Sequence, residues 1–328
     1  MPGNTTTNSV ALRRAQVYSD MILDTLKDGM LPDGIHRDVG DFSDGDTLNI
    51  TTFGDVVLRD LAEDQVTPVD ALDSGSITLT ITEHVGAGNY LTDEMQEDSN
   101  KVKQFDAAIV PKHVRAIKER YETDMLKAFP DAQTVSNPNA INGYAHRYVA
   151  SGTNQTMAME DFIYAKLAMD KANLPDQGRI LIVDGLVEAT MNGLTNLVNV
   201  SNNPQFAGII ETGFGKNMRF IKNVFGFDIF ISNRLKQIAS ESVNTSAITV
   251  PAPSSSATVT TGVANVAMCV VDDMTTPLMG AWRRMPRTRY NRDEKFRRDE
   301  YYTTARWGFG AQRLQSGVTI LTSRTKYK

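Results

Sequence analysis

The stretch Glu211–Asn233, "ETGFGKNMRFIKNVFGFDIFISN", admits two readings that lead to different proteins. Its start, Gly213-Phe-Gly215-Lys216, has the glycines and lysine of a phosphate-binding loop. Its end, Phe227-Asp-Ile229-Phe-Ile231-Ser, alternates as a half-buried strand does. A P-loop needs G-x-x-x-x-G-K-[ST], because glycines let backbone N–H groups wrap the phosphates and a hydroxyl holds magnesium. Here Ile210 stands where the first glycine belongs and Asn217 where the hydroxyl belongs. The dinucleotide pattern G-x-G-x-x-G also fails, at Met218. The glycines therefore read as turns, with Gly226 admitting the chain to a strand at Asp228–Ser232.

Outward from that strand, the chain is long enough for two domains or one large one, at 328 residues. Apolar residues make up 41% and charged residues 22%, the balance of an ordinary folded protein. No apolar run approaches a membrane span, and the N-terminal "MPGNTTTNSVALRRAQ" lacks the apolar core of a secretory signal. The single Cys269, in the apolar run "VAMCVVDD", reads as a buried, inert thiol in a reducing compartment.

Chemistry is hard to find. His36, His84, His113 and His146 are scattered, with no metal-ligand spacing. There is no G-x-S-x-G elbow, and the neighbouring carboxylates Asp272/Asp273 and Asp293/Glu294 read as solvated. The sequence thus predicts no catalytic residue, no metal and no cofactor.

Charge is distributed unevenly. Residues 31–100 carry sixteen Asp/Glu against Arg37 and Arg59, a net of −14. Residues 281–328 carry thirteen Lys/Arg against four acids, a net of +9. Such a basic tail could bind nucleic acid, yet Asp293, Glu294, Asp299 and Glu300 interrupt it and the whole chain is acidic, with a pI near 5.5. The other reading is that two parts of opposite sign meet, within a chain or between chains.

The remaining pattern predicts a mixed α+β chain. A helix capped by Asn8 or Ser9 runs to Met30. Leu48 and Ile50, then Ile77, Leu79 and Ile81, alternate along a long hairpin, Thr47 to Thr82, with an acidic tip. Two strands alone in water are marginal, so this hairpin should lie along its own domain or a neighbour. A helix spans Lys101 to Phe129 on the period of Phe105, Ile109, Val114, Ile117, Tyr121 and Met125; Pro111 should kink it or start it, and Pro130 should end it. A polar linker over 131–156 leads to a helix at Met159–Asn173, a strand at Ile180–Val183 and a helix at Leu186–Leu197. Asn244 to Gly262, rich in Ser, Thr and Pro, reads as a loop or short hairpin. "NVAMCVVDDM", "EYYTTARWGFGAQ" and "GVTILTS" read as strands.

In this order the elements resemble the major capsid proteins of tailed bacteriophages, the Hong Kong 97 fold. "TEHVGAGNYLTDEMQEDSN" leads into what looks like the spine helix, and "LPDQGRILIVDG" is similar to the opening of the axial domain. "FIKNVFGFDIFISNRL" resembles a family run in which a glycine-turned strand ends in Ser-Asn. "GFGAQRLQSGVTILTS" looks like the return into the peripheral-domain sheet. The resemblance implies an N-terminal arm over 1–46, an extended loop and return over 47–100, and a peripheral domain over 101–156. An axial domain over 157–280 and a return over 281–328 complete it.

The resemblance implies a structural, non-enzymatic role. Hexamers and pentamers of the chain would close an icosahedral head around double-stranded DNA, inside the virion, after assembly in the host bacterial cytoplasm. Implied partners are a separate scaffolding protein, a portal, a cement or decoration protein, and DNA through weak non-specific contact, with no membrane. No lysine lies between Lys27 and Lys101, so the archetype's loop cross-link is not expected. Only some forty residues precede the first strand, fewer than a fused scaffolding region of about a hundred. The candidate contact residues are the loop acids Asp60, Glu63 and Asp64, with Arg287, Arg289, Arg292, Arg297 and Arg298 as partners. Alternatives are an encapsulin-like nanocompartment shell and a soluble α/β nucleotide-binding enzyme built on Ile180 to Ser232.

Overall fold

A computed structural model describes residues 31, 34–40, 45–54, 58, 60, 63–64, 66, 71, 74–98, 102–135, 138–194 and 220–326. The predicted helix from Ser9 to Met30 lies outside them, as do Glu211–Arg219 of the opening stretch and the last residues of the helix predicted to reach Leu197.

Two sheets organise the chain. After a two-residue strand β1 (Arg37–Asp38), β2 (Thr47–Phe53) and β3 (Ser74–Thr80) pair antiparallel from Thr47 opposite Thr80 to Phe53 opposite Ser74. This is the predicted hairpin. Its alternation works as read: Leu48, Ile50 and Ile77 pack on a cluster of Val39, Leu79, Ile81, Met279 and Ala281. The chain then enters β4 (Glu83–Thr92), a short helix α1 (Asp93–Asp98) and the long helix α2 (Val102–Ala132).

Both prolines lie inside α2. Pro130 does not end the helix, which continues to Ala132. Tertiary packing holds that last turn: Phe129 is fully buried, and a Cβ added at Gly317 would meet its ring at 2.6 Å.

Beyond α2 come the short strands β5 (Ala140–Ile141), β6 (Tyr144–Ala145) and β7 (Arg147–Val149), then α3 (Met159–Lys171), β8 (Arg179–Val183) and α4 (Gly185–Asn192). Asp184 caps α4 by accepting from the Leu186 N–H, and Asp161 caps α3 from its third position. The predicted strand at the end of the opening stretch is β10 (Phe227–Ile231), entered from β9 (Phe220–Val224) through Phe225 and Gly226. Both turn residues have positive φ, 53° and 88°, the geometry of the tight hairpin turn whose twist matches paired strands.

The second half of the chain supplies β11 (Gln237–Asn244), β12 (Ser256–Cys269), β13 (Leu278–Asp293), β14 (Arg298–Ala311) and β15 (Gly317–Ser323). Residues 256–262, predicted as loop or short hairpin, are the first half of β12 and pair with β11 from Asn244 back to Ile238. The β-branched Thr258, Val259, Thr260 and Thr261 suit a strand better than the flanking prolines suggest.

A seven-stranded sheet runs β7-β15-β12-β8-β10-β9, with β11 on β12. Its one face buries Phe162, Ala165, Met169, Leu181, Phe227 and Ile229 with α3 and α4; its other face buries Ile182, Val266 and Met268 against Met125, Leu126 and Phe129 of α2. A four-stranded sheet runs β1-β13-β14-β4. Ile117 of α2 packs there on Ala305 and Trp307, with Tyr121 stacked on Trp282 at 4.2 Å.

One expectation is corrected. Gly317–Ser323 was expected to return to the sheet beside the long helix with β14. It instead lies inside the seven-stranded sheet, antiparallel to β12 and parallel to β7, in the same sheet as Ile180–Val183. All seven of its residues are buried, as suits a strand paired on both sides and covered on both faces.

Candidate functional site

Among the described residues no group of His, Cys, Asp and Glu has the arrangement to hold a metal. Cys269 is buried, and burial pushes its thiol pKa up, the opposite of an activated nucleophile. No described helix is long and apolar enough to cross a membrane. What stands out is surface: the far part of the β2–β3 hairpin and the long β13–β14 ribbon.

The base of the hairpin is fastened to its own chain through Leu79 and Ile81, while the described apolar residues of its far part are exposed. Phe53, Leu58 and Val66 are 72%, 93% and 93% exposed. Asp60, Glu63 and Asp64, in the same stretch of sequence, are exposed and form no ion pair with a described residue. Large apolar side chains left exposed in the same stretch of chain as unpaired acids mark a contact surface more than a solvated loop.

The basic run is strand, and the strand sorts its arginines by face. Thr303, Ala305 and Trp307 of β14 point toward α2: Thr303 meets His113 Nδ1 at 3.1 Å, and Asn89 of β4 meets His113 Nε2 on the same side. Arg292, opposite Asp299, belongs to that side. It grips Asp93 with both branches, at 2.5 and 2.7 Å, and Asp299 at 3.0 Å. The Arg292 guanidinium holds the Asp93 carboxyl below the usual carboxylate range.

Arg298 is occupied as well. It pairs with Glu300 and, at 3.8 Å, with Asp293, while its guanidinium lies 4.8 Å from the Tyr90 ring and 4.7 Å from the Phe296 ring. Two of the five predicted partner arginines are therefore committed within the chain. Arg287, Arg289 and Arg297 are exposed and, among the described residues, make no ion pair.

Sequence reading missed the buried ion pairs that tie the seven-stranded sheet together and to the helices packed on it. Arg147 of β7, 1% exposed, holds Glu241 of β11 at 2.6 and 2.7 Å and donates to the Pro130 carbonyl at 3.0 Å. Arg179 of β8 donates to the Pro175 and Leu174 carbonyls and pairs with Asp170. Glu122 of α2 accepts from Ser232 and Arg234. Charged residues in such short strands look like edge or surface positions, so only partner geometry reveals them.

A family model described as phage capsid protein matches residues 76–320. The chain belongs to the phage capsid protein family. No curated protein sequence matches it. Among solved structures, the capsid of cyanophage P-SCSP1u superposes with a TM-score of 0.66 at 13% identity, covering 95% of this chain and 93% of that one. The mature capsid of bacteriophage PhiM1 gives 0.64 at 12% identity, covering 95% and 93%, and the capsid of Ralstonia phage GP4 gives 0.62 at 8% identity, covering 99% and 100%. At these identities the likeness is one of fold, and it extends over almost the whole of each capsid chain. The α+β architecture is the Hong Kong 97 fold, and the family's role is to form the head shell.

Proposed function

We propose that this chain is the major coat subunit of an icosahedral phage head, many copies of which close around double-stranded DNA. The observation that carries the reading is the β2–β3 hairpin. It is anchored at its base by Leu79 and Ile81, yet it presents Phe53, Leu58 and Val66 to solvent at its far part. A neighbouring copy covers them in a closed, symmetric assembly, where each subunit both gives and receives the same contact. Burial of apolar area supplies most of the free energy of such an interface, and the ion pairs around it set register and partner choice.

This reading includes a separate scaffolding protein, a portal and a cement or decoration protein as partners, weak contact with packaged DNA, and assembly in the host cytoplasm. The peripheral part is α2 with the four-stranded sheet; the axial part is the seven-stranded sheet with α3 and α4. The role is structural, with no reaction assigned to any residue.

Electron microscopy of the purified chain, alone and with a candidate scaffolding protein, tests the proposal. Closed shells are expected, with nucleic acid inside those taken from infected cells. Monodisperse monomers under every condition overturn it, and shells filled with an enzyme in place of DNA support a nanocompartment instead.

A further inference from the structure

We infer that the free edge of β4, from His84 to Tyr90, pairs antiparallel with the same edge of a second copy across a two-fold axis, joining two four-stranded sheets into one. This rests on the shell reading above and names one contact through which copies recognise each other.

The sheet runs β1-β13-β14-β4, so β4 is its last strand, and among the described residues no strand pairs with its other side. Register tells which backbone groups are left over. The Asp93 N–H donates to the Arg297 carbonyl at 3.1 Å, one step beyond Thr92 opposite Arg298. Bonded and non-bonded pairs alternate along an antiparallel ladder, so Leu91, Asn89, Ala87 and Val85 turn their N–H and C=O groups to β14. Those of Tyr90, Gly88, Gly86 and His84 turn outward, and all four residues are exposed.

The two edges of the sheet are built differently. Beyond the short β1, the outer edge of β13 carries Arg283, Arg284, Arg287, Arg289 and Arg292, with Pro286 and register shifts among them. Charge, proline and bulges are the devices that keep a strand edge from pairing. β4 has none of them between Val85 and Thr92. Its ladder with β14 is unbroken from Glu83 opposite Trp307 to Thr92 opposite Arg298. A long, regular, uncharged edge is a template for another strand.

The side chains select the occupant. Tyr90 is 59% exposed, while Gly86 and Gly88 leave the same face bare. Turning a second β4 about Ala87 sets His84 opposite Tyr90 and Gly86 opposite Gly88. Each Tyr90 ring then lies diagonally over Gly86 of the other copy, and an aromatic ring laid across a glycine on the neighbouring strand covers its backbone. Each edge supplies both the ring and the gap, so the strand that fits it is its own reverse.

Charge fixes the register. With the axis on Ala87, Glu83 falls opposite Leu91 and no like charges meet. With the axis on Gly88, Glu83 falls opposite Asp93, a destabilising pair of like charges. With the axis on Gly86, Tyr90 falls opposite Thr82, before β4 begins. The pairing on Ala87 is isologous, the form a contact across a two-fold axis takes.

The test is a disulfide between copies. His84→Cys/Tyr90→Cys sets its cysteines opposite each other at exposed positions, about 5.5 Å apart at Cα and within reach of a disulfide. The assembled variant is oxidised and run on a non-reducing gel, with each single variant and the unmodified chain as controls for the buried Cys269. Dimers that collapse on reduction, with no higher multimers and none from the single variants, are the expected result. A ladder of multimers means a head-to-tail contact and overturns the two-fold pairing. Shells that form without dimers overturn it too and leave the shell reading intact. Dimers from a chain that never closes shells support the pairing and remove the shell reading.

A second arm blocks the edge. Gly86→Pro removes an outward N–H and leaves the ladder with β14 whole, so the melting temperature of the unassembled subunit should stay where it is. Added to the double-cysteine variant, it should abolish the dimers; dimers that persist would show that this N–H is outside the contact and sink the inference. If Gly86→Pro abolishes shells while the double-cysteine variant gives no dimers, a strand of a different protein covers the edge, and the inference fails.

Discussion

The Ser232 hydroxyl, at the end of β10, donates to the Glu122 carboxylate in the middle of α2 at 3.1 Å. Both residues are buried, at 0% and 5% exposure. Arg234 Nη1 reaches the other carboxylate oxygen at 3.2 Å, and the Leu31 N–H approaches it at 3.4 Å. The "Ser-Asn" end of the opening stretch is thus where the seven-stranded sheet is fastened to the helix that also carries the four-stranded sheet.

That junction should be sensitive to loss of its acceptor. Glu122→Ala leaves the Ser232 hydroxyl and the Arg234 guanidinium without their carboxylate, and removing one partner of a buried pair costs about 3 kcal/mol. Ser232→Ala removes one hydrogen bond and should cost about 1 kcal/mol. The midpoint of denaturant unfolding of the unassembled subunit, compared across the two variants, checks the order; a Glu122→Ala midpoint equal to wild type would contradict it.

Arg147 makes a comparable joint on the other side. Its two-pronged contact with Glu241 and its bond to the Pro130 carbonyl tie β7, β11 and the last turn of α2. Arg147→Lys keeps the charge but loses the fork, so it should destabilise nearly as much as Arg147→Met, by about 3 kcal/mol. Recovery of full stability by lysine would show that charge alone matters there.

Two buried groups give stability opposite pH slopes. Burial pushes His146 down to about 4 from 6.5. Its contribution is complete above pH 6.5 and is lost as pH falls through 6.5 toward 4, amounting to about 3 kcal/mol. Burial pushes Asp161 up to about 6 from 3.8, so its contribution is complete below 3.8 and is lost as pH rises through 6. His146→Gln should flatten the acid side of the stability profile, and Asp161→Asn the limb between pH 4 and 6. Unfolding midpoints measured from pH 4 to 8 for both variants separate the two; a profile unchanged by His146→Gln removes that assignment.

The turn between β9 and β10 should resist a side chain at Gly226, whose φ of +88° is one L-residues rarely adopt. Gly226→Val is expected to cost about 2 kcal/mol and Gly226→Ala about 1 kcal/mol. Equal melting temperatures for glycine and valine at this position would mean that the hairpin does not depend on this turn.

Local physics wrote much of this fold into the sequence. Alternation at Ile77, Leu79 and Ile81 needs only a strand with one wet face, and the three-to-five spacing from Ile109 to Met125 needs only a helix with one dry side. Gly226 marks a turn because few other residues take its backbone angles, and the broken P-loop pattern at Ile210, Asn217 and Met218 excludes that phosphate cradle without any coordinates. Strand partners were decided elsewhere. "GVTILTS" is apolar enough to lie in either sheet, and only the packing of Phe129 on Gly317 and the pairing with β12 and β7 place it in the larger one. β4 and β13 escaped notice because glycines and arginines do not look like strand interiors; they became strands through pairing with β14. The arginines show the division most clearly. Their number and clustering are visible in the chain, but whether each is spent on Asp93 or left facing solvent depends on which side of a twisted ribbon it occupies. That side is set by register, a property of two strands together and not of either one alone.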